Sequence, residues 1–225
     1  MIGGVKSYGQ WCSVAKALDV VGERWSLLLV RELLDGPKRY VDLLSGSPGI
    51  STDVLAARLR DLEEAGVVTR RTLPPPAASK VYELTERGRE LAPVLGSLSK
   101  WGMQLLGERE DDETFRPHWL ATGLRGMLRP SRAKDVTLDV DFDLRSGELV
   151  RIHVEGGRLH AITEPTSSPA DVIVHSDMPT LSALADGSVR VEDALADGRL
   201  VMEGDDEDVQ TYARLFPQPR VDAAK

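Results

Sequence analysis

The sequence has a single cysteine, Cys12, among its 225 residues. One thiol can form no disulfide within the chain and no multi-cysteine zinc site, and such low cysteine usage is typical of reducing compartments. No apolar run approaches the roughly 18 residues that a membrane-spanning helix needs, and the N-terminus lacks the charged-then-apolar pattern of a signal peptide. These absences predict a cytoplasmic protein that contacts no membrane.

Catalytic patterns are also missing. The four histidines are scattered, at His118, His153, His160 and His175. A metal site needs three or four converging ligands, and no such group is visible in the sequence. Asp139, Asp141 and Asp143 lie at strand spacing without the glycine and glutamate of a calcium loop, so they predict a solvated strand face. With no glycine-rich phosphate loop either, we expect no enzyme activity, no cofactor and no metal.

The net charge of -8 gives no bulk attraction for nucleic acid. The charge is unevenly distributed, because residues 1–108 carry 14 Lys+Arg and 13 Asp+Glu whereas residues 109–225 carry 14 and 23. The acidity therefore belongs to the C-terminal half, and DNA binding by the other half must use a local basic patch. A chain of this length favours two cores of roughly 100 to 120 residues each.

The N-terminal half has the pattern of four helices, a hairpin and a closing helix. The helical segments are CSVAKALDVVG at 12–22, ERWSLLLVRELLDG at 23–36, KRYVDLLSGSPG at 38–49, and a fourth from Ile50 to Gly66. The period of the apolar residues then falls from 3.6 to about 2 in VVTRRTL and KVYELT. This change predicts two strands joined by a proline-rich loop. The segment ERGRELAPVLGSLSKWGMQLLGE at 86–108 predicts one long helix.

The fourth helix has well-defined ends. Leu55, Leu59 and Leu62 form one apolar stripe, Ser51 can cap the first amides, and Gly66 suits the left-handed residue after the last turn. Its outer face carries two alanines beside an arginine: Ala56, Ala57 and Arg60. A capped amphipathic helix is most often only a packed helix. The alternative, favoured by the order of helices and hairpin, is the recognition helix of a winged helix-turn-helix domain.

The run from Cys12 to Gly102 resembles the HxlR-type family of bacterial winged-helix transcription regulators. The similarity lies in CSVAKALDVVGERWSLLLVRELLDGPKRYVDLL, in GISTDVLAARLRDLEEAGVVTRR and in VYELTERGRELAPVLGSLSKWG. The resemblance implies a homodimer that binds double-stranded DNA and joins through its first and last helices. Candidate interface residues on these helices are Trp11, Leu95, Leu98, Trp101 and Leu105.

The same resemblance implies a set of DNA-binding residues. Lys38 and Arg39 would hold phosphate, and the wing would be flanked by Arg70, Arg71 and Lys80. The groove-facing residues would be Ser51, Thr52, Asp53, Ala56, Ala57 and Arg60. The sequence departs from the family pattern at Asp53, where a basic residue is common, and at the two alanines, where polar residues are common. The operator sequence is therefore not predicted.

Cys12 has two interpretations. A lone cysteine on a first helix is most often a small buried apolar residue. The alternative is a redox sensor, because the start of a helix lowers a thiol pKa and some similar regulators use a cysteine at this position. Any disulfide would then join two chains or capture a small thiol.

The C-terminal half follows an acidic break, GEREDDET at 107–114, and mixes helices with strands. FRPHWLATGLRGMLRP at 115–130 predicts a helix, VTLDVDFDL a half-buried strand, and LVRIHV with RLHAIT a hairpin through EGG. ADVIVHS predicts a further strand, and two short helices each end in ALADG. A strand, LVMEG, and a last helix, DVQTYARLF, complete the half.

This order resembles the sterol-carrier-protein-type fold across roughly residues 115 to 216. Domains like it enclose a tunnel for lipids or other apolar molecules, which implies an apolar small-molecule effector; the alternative is a filled core that serves only as an appendage. We therefore predict an α+β chain with a winged helix-turn-helix domain at 1–108 and a sterol-carrier-protein-like domain at 115–220. Its predicted function is effector-controlled, DNA-binding transcription regulation. The alternative is an apolar-ligand carrier whose N-terminal half only dimerises.

Overall fold

The structure, a computed structural model, describes residues 7–76, 78–106, 110, 112–116, 118–162 and 167–217. The chain divides into two compact units, Met1–Val94 and Leu95–Lys225. This division lies inside the segment 86–108, which the sequence predicts as one closing helix. The domain boundaries 1–108 and 115–220 remain predictions, and residue 108 itself lies outside the described residues.

The first unit has the predicted order of helices and hairpin. The helices are α1 (Ser13–Val21), α2 (Ser26–Leu33), α3 (Tyr40–Gly46) and α4 (Thr52–Glu64), followed by strands β1 (Val68–Thr72) and β2 (Lys80–Leu84) and by the short helix α5 (Glu86–Arg89). The two strands pair antiparallel from Val68↔Leu84 to Thr72↔Lys80. Leu29, Leu43, Leu55 and Leu62 have no exposed surface and form the centre of this unit's core.

The predicted single closing helix is wrong. The segment 86–108 instead contains α5, then α6 (Ala92–Gly102), and then a 3₁₀ turn at Met103–Leu105. Pro93 accounts for the break, because its ring has no N–H to donate and would clash with the carbonyl of Arg89 in a continuous helix. Residues 107–109 lie outside the described part of the chain.

The second unit places helices on one face of a five-stranded sheet. After α6 it contains α7 (Trp119–Met127), α8 (Pro130–Ala133), β3 (Thr137–Leu144), β4 (Leu149–Glu155), β5 (Arg158–Ile162), β6 (Val172–Ser176), α9 (Met178–Asp186), α10 (Val191–Ala196), β7 (Val201–Gly204) and α11 (Asp206–Leu215). The strand order is β5-β4-β3-β6-β7, with β3 and β6 parallel and the other pairs antiparallel.

Helix α7 is shorter than the predicted segment 115–130. It ends at Met127, and Leu128 takes an extended ψ of 138° before α8 begins at Pro130. A proline disfavours helical geometry in the residue before it, and Arg129 accordingly has extended dihedrals. Pro117, near the start of the predicted segment, lies outside the described residues.

The outer face of β3 was predicted to be solvated, and this is wrong only at Asp141, since Thr137 and Asp143 are exposed and Asp139 is half-buried. Asp141 is only 8% exposed and accepts a hydrogen bond from Nε of Arg151 at 2.6 Å. Register explains the pairing, because β3 and β4 place Asp141 opposite Arg151 and Asp139 opposite His153. Within the described residues, no group of three or more His, Cys, Asp or Glu side chains is arranged to hold a metal ion.

Candidate DNA-binding surface and ligand cavity

Helix α4 has the geometry that its sequence predicts. The Ser51 hydroxyl accepts a hydrogen bond from the Val54 amide at 3.4 Å and caps the helix start. Leu55, Leu59 and Leu62 are buried in one stripe. On the opposite face Ser51, Thr52, Asp53 and Arg60 are exposed, and Ala56 and Ala57 are half-buried. The helix therefore offers one small, accessible face with one arginine.

Three of the predicted DNA-binding arginines already have carboxylate partners. The salt bridges have N···O distances of 2.8 Å and join Arg39 to Asp42, Arg70 to Glu63 and Arg71 to Glu83. The Arg39 guanidinium, by its hydrogen bond, lowers the pKa of Asp42. These arginines can bind phosphate only if they first release their carboxylate partners.

Lys38, Arg60 and Lys80 make no salt bridge with any described residue, so they can contact phosphate or base edges without breaking one. They stand on three different elements: the segment before α3, the outer face of α4, and the start of β2. Two backbone hydrogen bonds of 2.9 and 2.8 Å link Lys38 with Tyr82, which holds the Lys38 backbone against the hairpin. Sequence reasoning proposed all three but could not separate them from the paired arginines.

Cys12 is exposed, so its interpretation as a buried apolar residue is wrong. It precedes the first turn of α1, whose buried residues are Ala15 and Val21. The backbone amides of Ala15 and Val14 lower the pKa of its thiol. The thiol is therefore accessible and is more readily ionised than an ordinary cysteine.

The predicted interface residues differ in exposure. Trp11 beside α1 is 102% exposed. Leu98 and Trp101 on α6 and Leu105 in the following turn are also exposed, whereas Leu95 is only 5% exposed. Exposed tryptophan and leucine side chains that lie close together are typical of surfaces that a partner covers, as for Leu98, Trp101 and Leu105 in the second unit.

The second unit contains a cavity of about 330 Å³ between helices and sheet. This volume lies at the lower end of the roughly 300 to 1,000 Å³ usual for small-molecule sites. Four methionines line it, namely Met103, Met127, Met178 and Met202, and the fifth methionine of the chain is Met1. Methionine side chains adapt to irregular shapes, so the lining can adjust to different apolar occupants. Sequence reasoning named none of these residues, since they are distant from one another along the chain.

Few polar groups reach this cavity. Among the described lining residues they are Ser182, Glu192 and Tyr212. The Tyr212 ring lies beside Phe142 and Phe216, and burial raises the pKa of its hydroxyl. An apolar chamber with a few polar groups is the arrangement expected of a site for an amphipathic small molecule.

Comparison with known proteins decides the family of the first unit. A family model described as HxlR-like helix-turn-helix matches residues 20–110. The HTH-type transcriptional regulator YvaP of Bacillus subtilis is 40% identical over 89 residues, which are 40% of this chain and 82% of that protein. This chain belongs to the HxlR-like family. It is a helix-turn-helix transcriptional regulator, and DNA is its partner.

Another HTH-type transcriptional regulator matches the same part of the chain. The HTH-type transcriptional regulator YodB of Bacillus subtilis is 38% identical over 88 residues, which are 39% of this chain and 79% of that protein. The solved structure of reduced YodB aligns with 33% identity and a TM-score of 0.39, covering 45% of this chain and 100% of that one.

The second unit matches a different family model. The alkyl sulfatase C-terminal model matches residues 127–222, from the end of α7 through α11. The sterol-carrier-protein-type resemblance of this half remains a prediction. No helix among the described residues is long and apolar enough to cross a membrane.

Proposed function

We propose that this HxlR-like protein is a cytoplasmic homodimeric regulator whose second unit binds an apolar effector that changes its affinity for a specific operator. The observation that carries the proposal is the apolar cavity of about 330 Å³ in the second unit of a helix-turn-helix regulator. A cavity lined by methionine, phenylalanine and leucine is unfavourable when it is filled only by water, and a ligand replaces that water.

The DNA-binding surface in this proposal is built on α4 and the hairpin. The exposed α4 face enters the major groove, with Ala56 and Ala57 permitting close approach and Arg60 reaching a base edge. Lys38 and Lys80 contact phosphates on either side. Asp53, Ser51 and Thr52 lie at the N-terminal end of the helix, where backbone amides also favour phosphate oxygens.

Dimerisation in this proposal uses the exposed apolar residues Trp11, Leu98, Trp101 and Leu105. Burying large apolar side chains of this kind is the main favourable term in stable homodimers. Leu95 would support the surface from beneath, since it is buried within one chain. Native mass spectrometry should show a species of twice the 24.6 kDa chain mass.

A gel shift with DNA upstream of the protein's own gene tests the DNA-binding proposal. We expect a preference over random duplex of the same length and base composition. Arg60→Ala should weaken specific binding by about 1 to 3 kcal/mol, because a base contact is lost. Lys80→Ala should weaken binding to both duplexes alike and reduce the salt slope by about one unit.

Arg158→Ala is the matched control, because it removes one exposed positive charge from the second unit. It should leave the preference for the upstream DNA unchanged. Equal binding of upstream and random DNA by the wild-type protein would favour the alternative function, an apolar-ligand carrier whose first unit serves dimerisation only. An intact footprint in Arg60→Ala would exclude α4 as the reading helix.

A further inference from the structure

Glu192 is the one charged side chain among the described residues that line the cavity. It lies at the solvent edge, since 72% of the side chain is exposed, and Arg190 is its ion-pair partner at 3.4 Å. The Arg190 side chain is itself 63% exposed. An ion pair between two exposed side chains contributes little, so a bound cation can take the place of Arg190 beside the carboxylate.

Three aromatic rings lie together at the same cavity. The centroid of the Tyr212 ring is 6.3 Å from that of Phe142 and 5.2 Å from that of Phe216. Phe142 and Phe216 are buried, so the rings add apolar surface for the tail of a ligand. The methionine thioethers beside them are polarizable and give no positive charge.

The half of the chain that holds the cavity is acidic overall. Residues 109–225 carry 14 Lys+Arg against 23 Asp+Glu. A field of this sign raises the local concentration of cations and lowers that of anions. The carboxylate at the cavity edge and the net charge of this half of the chain therefore favour the same charge on a ligand.

We propose that the cavity selects lipophilic cations, such as long-chain amines and quaternary ammonium compounds, over lipophilic anions. The inference rests on the proposed effector site and specifies the charge of its ligand. The apolar tail occupies the methionine-lined interior, and the positive head lies beside Glu192. A sulfate or carboxylate head would instead meet Glu192 without any lysine or arginine among the described lining residues.

Three ten-carbon probes with the same tail test the selection on the full-length protein. They are decyltrimethylammonium, decan-1-ol and decyl sulfate. Decyl sulfate also tests whether the cavity binds an alkyl sulfate, the class of compound named in the family model that matches this half. The cavity holds about ten water-sized groups of about 30 Å³, which suits a tail of this length. Displacement of a neutral environment-sensitive dye measures each affinity below micelle formation. We expect the cation to bind at least about tenfold more tightly than the sulfate, with the alcohol between them.

Three variants locate the selection at the cavity edge. Glu192→Gln should reduce the ratio of cation to sulfate affinity several-fold and leave decan-1-ol binding unchanged. Glu155→Gln is the matched control, because its side chain is 70% exposed in β4 and lies outside the cavity. It makes the same change in net charge and should preserve the ratio. Arg190→Gln should strengthen cation binding, since it frees Glu192.

The outcomes separate the two proposals. Equal affinities for all three probes, tighter binding of decyl sulfate, or an unchanged ratio in Glu192→Gln would overturn the charge selection while leaving an apolar effector site. Failure of every probe to displace the dye, together with no binding of the dye itself, would overturn the effector site and the charge selection together.

Discussion

At the scale of single residues, the partners of a side chain decide what it can do. Arg60 and Arg70 are both exposed arginines, but Arg70 is held by Glu63, seven residues earlier, and Arg60 has no ion-pair partner in the described part of the chain. Glu63 also raises the pKa of Arg70, mainly through the hydrogen bond it accepts. Arg60 can therefore contact DNA without first losing a carboxylate, whereas Arg70 cannot.

Cys12 gives the residue-scale prediction. Because the amides of Ala15 and Val14 lower its thiol pKa, half of the thiol is ionised at a lower pH than in an unstructured chain. The thiolate is the reactive form, so alkylation by iodoacetamide should reach half of its maximal rate at lower pH in the native protein than in urea. Mass spectrometry of samples quenched across the alkaline range measures both midpoints.

The sequence supplies a simple control for that experiment. Cys12 is the only cysteine, so Cys12→Ser should show no alkylation at all. The prediction would be contradicted if the pH of half-maximal alkylation rate in the native protein were equal to or higher than that in the unfolded chain. If the exposed thiol is also a sensor, diamide should change the operator affinity of the wild type and leave Cys12→Ser unaffected.

At the scale of elements, α6 and α7 meet where neither has a side chain. A Cβ at Gly96 would lie 2.7 Å from the Cα of Gly126, and a Cβ at Gly126 would overlap the Gly96 carbonyl group. Neither position can accept even a methyl group without moving a helix backbone. Leu124 and Met127 of α7 line the cavity, so this contact also sets the cavity wall.

Gly96→Ala should therefore destabilise the protein by about 1 to 3 kcal/mol, because it overpacks a backbone contact. Gly102→Ala is the matched control in the same helix, since a Cβ there meets no atom within 4 Å. The control should be neutral or stabilising by about 0.5 to 1 kcal/mol, as expected when alanine replaces glycine in a helix. Urea unfolding followed by circular dichroism compares the two, and equal stability would refute the close approach.

At the scale of the whole molecule, the regulator proposal requires ligand binding in the second unit and operator binding to be thermodynamically coupled. If decan-1-ol in the cavity changes operator affinity, operator DNA must change decan-1-ol affinity by the same factor. Coupling of about 1 to 3 kcal/mol corresponds to a factor of roughly 5 to 150. Anisotropy titrations of labelled operator with and without the alcohol, and dye displacement with and without operator, measure both factors.

Because decan-1-ol is neutral, the result of this experiment does not depend on whether the cavity selects cations. Arg60→Ala, which should weaken operator binding, is the control: an operator concentration that just saturates the wild type should change its affinity for decan-1-ol less. Binding of the alcohol with no change in operator affinity would leave the second unit as an appendage of an HxlR-like regulator.

Much of the architecture was predictable because it depends on local patterns. The stripe of Leu55, Leu59 and Leu62 with the Ser51 cap predicted α4, and the family resemblance of the first half was confirmed. The Gly156–Gly157 turn has positive φ at both residues, 56° and 79°, as a two-residue hairpin loop requires. Pro93 is a helix-breaking residue, but the helical pattern on both sides of it led to the prediction of one continuous helix.

The sequence by itself determined where most helices and strands form, since capping, periodicity and turn chemistry act over a few neighbouring residues. Only the tertiary structure decided which cations are free, that Asp141 is buried against Arg151, and that four methionines share one cavity. These features depend on strand register and helix packing between distant segments. Met103 and Met202 stand near opposite ends of the second unit's sequence, and only folding brings them to the same cavity.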